Sequence, residues 1–238
     1  MFSVTRWPIR SYAILIAWSP VLILALNGSS AEPGDAADPA GASDARWVES
    51  SPRAIELGKA TFATCMGCHG TDAAGRIGIG PRIASKSYLA AASDDFLVRT
   101  IKQGRMGTTM VPWGGVLGDE QIEALVAYLR SLSPVAPATL NETQLVGDSA
   151  NGEIIFRNIC SGCHGRSGAG YQETANGTGI GRKAFLDSAS NGFIRFIVGQ
   201  GKTQTKMRGF AADNITAVAN LSDQEIDDTI AYLRANAW

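Results

Sequence analysis

All four cysteines and both histidines of this 238-residue chain fall in two copies of one pattern, C-x-x-C-H. The first copy is CMGCH at 65–69, and the second is CSGCH at 160–164. No histidine is left for a catalytic triad, and no cysteine is left for a disulfide elsewhere in the chain. These scarce residue types therefore predict two sites of the same kind.

The charge balance argues against one class of partner. The chain has 21 Lys+Arg and 22 Asp+Glu, which gives a formal net charge of −1. Proteins that bind nucleic acid usually carry a basic excess or a basic stripe. We therefore expect no nucleic-acid partner.

The N-terminal residues predict export. Residues 1–31 have the layout of a secretory signal peptide: two arginines, an apolar run over 12–26, and small residues ending at Ala31. An uncleaved anchor is the alternative, although the run is short for a spanning helix and contains Pro20. We expect the remainder to be periplasmic, either free or tethered to the inner membrane through this segment. Residues 32–45, rich in Ala, Asp, Gly and Pro, are expected to form a flexible leader.

The remainder of the chain is an internal repeat. Copy one spans residues 46–133, copy two spans 146–238, and a Pro-containing linker over 134–145 joins them. Both copies close with a similar segment, IEALVAYLR from Ile122 and IDDTIAYLR from Ile226, with apolar residues at helical spacing. Alternating Val- and Ile-rich runs are scarce, so we expect an all-α fold.

The C-x-x-C-H pattern is typical of covalent attachment of a c-type haem. Two thiols about one helical turn apart can reach both vinyl groups of one porphyrin, and the histidine that follows is held under the iron. A redox-active cysteine pair would not need that histidine, and the separation of 95 residues from Cys65 to Cys160 is too large for a zinc ribbon. The predicted attachment and ligand residues are Cys65, Cys68 and His69 in copy one and Cys160, Cys163 and His164 in copy two.

The register of the repeat predicts the sixth iron ligand. Histidine paired with methionine is a known ligand set for haem iron. Met207 follows the second cysteine pair and aligns without gaps with Met110, at 43 and 41 residues from the respective histidines. Met106, which aligns with Thr203, is an alternative in copy one, and packing is the alternative role for any of these methionines.

The chain resembles class I cytochrome c domains in tandem. The resemblance rests on CMGCHG followed by GIGP, on TIKQGRMGTTMVPWGGVLGDEQIEALVAYLRSL, and on the second ending IDDTIAYLRAN, and it covers nearly all of residues 50–238. Two-domain dihaem cytochromes and the dihaem subunits of respiratory complexes are similar to it. The resemblance implies an all-α fold of two domains, each wrapping one covalently bound haem.

The resemblance also implies roles for particular residues. The first and last helices of each domain would cross, with Gly58 and Phe62 against the Tyr128 helix in copy one and the matching residues Gly152 and Phe156 against the Tyr232 helix in copy two. The carbonyl of Pro81 would accept a hydrogen bond from His69. In copy two the Gly-Ile-Gly at 179–181 is followed by Arg182 instead of proline. The resemblance therefore identifies no acceptor for the His164 ring, and this difference suggests that the two haems differ in potential. Arg105 and Lys202 would face haem propionates, with solvated surface cations as the alternative.

Two irons with histidine and methionine ligands would have no open position for a substrate. We therefore expect outer-sphere electron transfer between periplasmic or membrane redox partners, such as redox proteins or a respiratory complex, and no enzymatic activity of the chain alone. The alternative is a haem enzyme, such as a dihaem peroxidase or a sulfur-compound dehydrogenase, which would need an exchangeable ligand position.

Overall fold

The computed structural model describes residues 46–215 and 219–238, so the predicted signal peptide (1–31) and leader (32–45) lie outside the described residues. Copy one contains α1 (Pro52–Thr61), α2 (Met66–His69), α3 (Lys86–Ala91), α4 (Asp94–Gln103) and α5 (Asp119–Leu132). Copy two contains α6 (Ser149–Ile155), α7 (Ser161–His164), α8 (Lys183–Leu186), α9 (Asn191–Gln200) and α10 (Asp223–Ala235). Short 3₁₀ turns occupy Phe62–Thr64 and Gly170–Gln172.

Within the described ranges, β pairing is limited to two isolated bridges, so the predicted all-α fold is confirmed. In the same part of the chain, each helix is too short or too polar to traverse a bilayer.

The first and last helices of copy one cross in direct backbone contact. A Cβ added at Gly58 in α1 would lie 1.9 Å from the carbonyl oxygen of Ala124 in α5. One turn later the Phe62 ring packs on the Tyr128 ring, with centroids 5.4 Å apart. The glycine therefore allows the close approach, and the aromatic pair fills the space beside it.

Copy two repeats this crossing with one extra residue. A Cβ added at Gly152 in α6 would likewise lie 1.9 Å from the carbonyl oxygen of Asp228 in α10. The centroids of the Phe156 and Tyr232 rings are again 5.4 Å apart. Copy two has one more residue than copy one between this phenylalanine and the first motif cysteine, and the segment Phe156–Cys160 forms a π-helical turn. A single insertion in a helix is accommodated in this way. The predicted helix crossings are confirmed in both copies.

A buried ion pair joins α4 to α5. Arg130 donates from Nε at 3.2 Å and from Nη2 at 2.7 Å to the same Asp94 oxygen. Its guanidinium also donates to the carbonyl oxygens of Leu89 and Ala92. Asp94 is 1% exposed and its other oxygen accepts from the Val48 backbone. The pair thus fixes the end of α3 and the start of α4 against α5.

Removing one partner of this pair should be costly. We expect Asp94→Ala to lower the free energy of unfolding by about 3–5 kcal/mol, because Arg130 would stay buried without a counter-charge. Chemical denaturation followed by circular dichroism measures this. Glu120→Ala is the matched control, since it removes one partner of the exposed pair with Arg53 and should change little. Equal losses in the two variants would contradict the assigned role.

Aromatic side chains join the two copies directly. The rings of Phe96 in α4 and Phe193 in α9 lie 4.7 Å apart, and these residues occupy equivalent positions, 97 apart in the chain. Tyr88 and its equivalent Phe185 both pack edge-on against Phe193, at 5.9 Å and 6.5 Å. Contact between equivalent residues means that the copies meet around an approximate two-fold axis.

Candidate functional site

The histidine of copy one is held in one tautomer. Its motif forms the turn that ends in α2, and His69 is 8% exposed. The Nδ1 atom of His69 lies 2.9 Å from the carbonyl oxygen of Pro81. A carbonyl can only accept, so Nδ1 carries the proton and donates it, which leaves the Nε2 lone pair free for a metal. Burial lowers the pKa of His69 and so favours the neutral, ligand form of the ring.

Copy two has the same arrangement with a different acceptor. Nδ1 of His164 donates to the carbonyl oxygen of Thr178 at 2.8 Å, and burial again lowers the histidine pKa. A Cβ on Gly177 would come within 2.5 Å of the Cys163 carbonyl oxygen, just as one on Gly80 would approach the Cys68 carbonyl oxygen. The pair Gly177-Thr178 is therefore the equivalent of Gly80-Pro81.

This equivalence corrects the register expected from the sequence. Arg182 does not stand at the position of Pro81. Copy two has two extra residues between histidine and acceptor, whereas an alignment of the two Gly-Ile-Gly strings implies six extra residues after the histidine. The similar Gly-Ile-Gly strings suggested the wrong alignment. What the backbone requires is a glycine in close contact followed by any carbonyl, so the proline is dispensable and the hydrogen bond persists.

The two predicted methionines occupy loops of the same geometry. The Met110 carbonyl accepts from the Arg105 backbone N–H at 2.7 Å, and its own N–H donates to the Thr108 hydroxyl at 3.1 Å. In copy two the corresponding bonds, Lys202 N–H to the Met207 carbonyl and Met207 N–H to a threonine hydroxyl, measure 2.8 and 3.1 Å. The structure thus supports the register in which these methionines correspond.

The predicted residues of copy one line a single cavity. Its volume is about 540 Å³, within the range of pockets that bind small molecules and cofactors. Met110 lines it, whereas Met106 is 79% exposed and does not. Most of the wall is apolar, from residues such as Leu97 and Trp113. The predicted site residues that line this cavity are Cys65, Cys68, His69, Pro81 and Met110.

This donor set fits a covalently bound haem. The cavity brings together two free thiols, an imidazole with its Nε2 unprotonated, and a thioether. Burial raises the pKa of the Cys65 thiol and raises that of Cys160 to about 11, so neither cysteine is a thiolate at neutral pH. The thiolate is the form that binds zinc, so the raised pKa values of these two thiols argue against a zinc site.

The two cations named from the sequence lie near the boundary between the copies. The Arg105 guanidinium lies 5.5 Å from the Phe185 ring centre and donates to the Ala184 carbonyl oxygen at 2.8 Å. Lys202 places its Nζ 4.5 Å from the centre of the Tyr88 ring, and burial lowers its pKa to about 8. Both side chains line the cavity of copy one. Each therefore reaches across the boundary, as the approximate two-fold axis requires.

Two family models match the chain, one on each copy. The model described as cytochrome C oxidase, cbb3-type, subunit III, matches residues 53–129, and the model described as cytochrome c matches residues 149–237. Together they cover more than half of the sequence. The chain belongs to the cytochrome c family. It carries two cytochrome c domains in tandem, which implies two haem c groups attached at the C-x-x-C-H motifs.

Curated relatives of this cytochrome include both cbb3-type oxidase subunits and a smaller cytochrome. The cbb3-type cytochrome c oxidase subunit FixP of Bradyrhizobium diazoefficiens is 33% identical over 154 residues, which is 59% of this chain and 51% of the relative. Cytochrome c4 of Thiocapsa roseopersicina is 27% identical over 181 residues, 71% of this chain and 85% of the relative. The chain spans about half, or less, of the length of the FixP relatives that it matches.

Among solved structures, a chain of the Kuenenia stuttgartiensis reducing HAO-like protein complex superposes with a TM-score of 0.49 and 20% identity. The match covers 77% of this cytochrome and 96% of that chain.

Sequence reasoning missed several residues that the structure brings to the site of this cytochrome. The sequence did not identify Thr178 as the acceptor for His164, because a backbone carbonyl belongs to every residue type and no side chain marks it. Tyr171, Gln172 and Arg182 of copy two line the cavity of copy one, and this follows from how the copies pack. A repeat pattern in one chain predicts the fold of each copy but not which faces meet.

Proposed function

We propose that this protein is a dihaem electron carrier that passes single electrons by outer-sphere transfer. The observation that carries the proposal is the repeated pairing of a neutral, hydrogen-bonded histidine with an equivalent methionine loop. An iron that both the histidine and the methionine bind would have no position left for a substrate. We assign copy one to residues 46–133, the linker to 134–145, and copy two to 146–238, with one haem in each copy.

Each side chain has a distinct task in this proposal. The cysteine pairs would hold the haem through thioether bonds, each formed when a thiol S–H adds across one vinyl group, with sulfur on one carbon and hydrogen on the other, so no oxidant would be needed. The Nε2 atoms of the histidines and the thioether sulfurs of the methionines would be the protein ligands of the iron. The haem supplies an iron that changes its charge by one electron. The proposed attachment residues and ligands are Cys65, Cys68, His69 and Met110 in copy one and Cys160, Cys163, His164 and Met207 in copy two.

Hydrogen bonds around the ligands should keep this geometry fixed during transfer. The carbonyls of Pro81 and Thr178 orient the imidazoles and increase the basicity of Nε2. The threonine hydroxyl bonds of the methionine loops hold both loops in one conformation. A site that moves little when charge changes loses little energy to reorganisation, which suits a carrier.

We propose that the carrier acts outside the cytoplasm, with redox proteins or a membrane respiratory complex as partners. The signal-peptide layout of residues 1–31 supports export, and the same segment, if uncleaved, would tether the protein to the inner membrane. Similarity to oxidase subunits and to a cytochrome c4 supports a respiratory role.

The decisive experiment uses the full holoprotein, produced with its haem attachment machinery. We expect two haems per chain by mass, low-spin spectra for both irons, and no binding of carbon monoxide by the reduced protein. Electron exchange with a small redox mediator should be fast, and hydrogen peroxide should not be consumed. Carbon monoxide binding at one haem together with peroxide turnover would overturn the carrier proposal in favour of a haem enzyme.

A further inference from the structure

Arg182 of copy two is a buried cation at the cavity of copy one. The residue is 7% exposed, and it precedes the first turn of α8. Its guanidinium lies 4.0 Å from the centre of the Trp238 ring and donates from Nη2 to the side-chain oxygen of Gln172. Its Nε is buried and has no hydrogen-bond partner in the described chain. Arg182 therefore has an unused donor.

No aspartate or glutamate of the described chain pairs with this charge. The cavity wall contains three cations, Arg105, Arg182 and Lys202, and its described residues include no aspartate or glutamate. Among the described residues, Arg182 forms no salt bridge. A buried guanidinium without a counter-charge is costly. An anionic group that enters the cavity would remove this cost.

The contacts of Arg182 place its guanidinium beside the methionine loop of copy one. Gln172, which accepts from Arg182, donates from its Nε2 to the Gly107 carbonyl oxygen at 2.9 Å. A Cβ at Gly107 would lie 2.2 Å from the Arg182 guanidinium. Gly107 lies three residues before Met110, so Arg182 lies against the loop that carries the proposed ligand.

The reciprocal position in copy one carries no cation. Arg105 and Lys202 match each other across the two-fold axis, but the residue 97 positions before Arg182 is Ser85. The Ser85 hydroxyl contacts the Ser87 and Thr203 hydroxyls at 3.3 and 3.0 Å. Arg82 of copy one does reach the methionine loop of copy two, where it donates to the Gln204 side-chain oxygen at 3.2 Å, but this contact is exposed whereas Arg182 is buried. The two sites therefore differ in how deeply this cation is buried.

We propose that Arg182 binds a propionate carboxylate of the haem in copy one and so raises the reduction potential of that haem from the other domain. This inference rests on the proposed haem sites. A haem has two propionates, and a guanidinium is the side chain best suited to carboxylate recognition. A nearby cation favours the reduced iron, because reduction removes one positive charge from the haem. At the methionine loop of copy two the cation is Arg82, in an exposed contact that solvent screens, so its contribution there is smaller.

Redox titration of the holoprotein tests the proposal, with haem methyl resonances in the proton NMR spectrum reporting each haem separately. We expect Arg182→Gln to lower the equilibrium constant for one-electron reduction of the haem in copy one about tenfold. This change corresponds to a reduction potential lower by about 59 mV. The haem of copy two should change much less. Arg182→Lys, which keeps the charge, should retain at least half of the effect.

The matched control is Lys183→Gln, which removes the neighbouring exposed charge that pairs with Asp187. It should leave both potentials unchanged. An unchanged potential for the haem of copy one in Arg182→Gln, or an equal loss in Arg182→Lys, would overturn the proposal. The haem count by mass in the same samples tests the proposed function separately.

The unmodified protein gives an independent test that holds even if a variant does not fold. The Arg182 Nε–H resonance should shift when the haem of copy one is reduced, and it should be protected from exchange with solvent. A resonance that follows the haem of copy two, or neither haem, would contradict the assignment.

Discussion

Gly58→Ala should destabilise the protein by about 3–5 kcal/mol, a large part of the stability of a domain of this size. The new methyl carbon would lie 1.9 Å from a backbone oxygen of α5, and backbone cannot move aside as a flexible side chain can. The helices would have to separate, which would also break the contact between Phe62 and Tyr128. Chemical denaturation of the holoprotein, followed by circular dichroism, measures the loss.

Gly115→Ala is the matched control for this substitution. Gly115 lies in the same copy, and a Cβ added there meets nothing within 4 Å. We expect a change of about 0.5 kcal/mol or less at such a position. Gly152→Ala should reproduce the loss in copy two, because its Cβ would lie equally close to the α10 backbone. A stable Gly58→Ala protein would show that the helices do not cross at this distance.

Met110→Leu should remove the sulfur ligand from the haem of copy one while it preserves side-chain volume. Methionine ligation raises haem potentials, so we expect the potential of this haem to fall by on the order of 0.1 V or more, within the roughly 0.8 V range that axial ligands span. The weak long-wavelength band of sulfur-ligated ferric haem should lose about half of its intensity. The reduced variant should bind carbon monoxide at one haem.

Met106→Leu is the matched control, because Met106 lies four residues away and is 79% exposed. It should leave the band, the potential and the absence of carbon monoxide binding unchanged. Met207→Leu should remove the other half of the band, and the double variant Met110→Leu/Met207→Leu should lack it entirely. If Met106→Leu lost the band and Met110→Leu kept it, the ligand assignment in copy one would be wrong.

Much of the fold was predictable because each copy uses local signals that a repeat makes visible twice. The segments that begin at Ile122 and Ile226 share a helical apolar spacing, and both form long closing helices. The glycine and phenylalanine before each motif lie one turn apart, and both contact the closing helix as expected. These features depend on side-chain type and spacing, which a sequence displays directly.

The acceptor in copy two was not predictable in the same way. A carbonyl belongs to every residue, so no residue type marks the position that bonds to His164. The hydrogen bond itself and the approach of the Gly177 backbone to the motif helix identify Thr178. The one extra residue between Phe156 and Cys160 can be counted in the sequence. That this residue is accommodated in a π-helical turn depended on the packing of α6.

By itself, the sequence determined that this protein has two sites of one kind, each with two cysteines, one histidine and at least one available methionine, because cysteine and histidine are too scarce for other assignments. The tertiary structure alone decided how the copies meet. Phe96 packs on its equivalent Phe193, and this contact brings Arg182 of one copy to the cavity of the other. Such contacts depend on the complementarity of folded surfaces, which no linear spacing encodes.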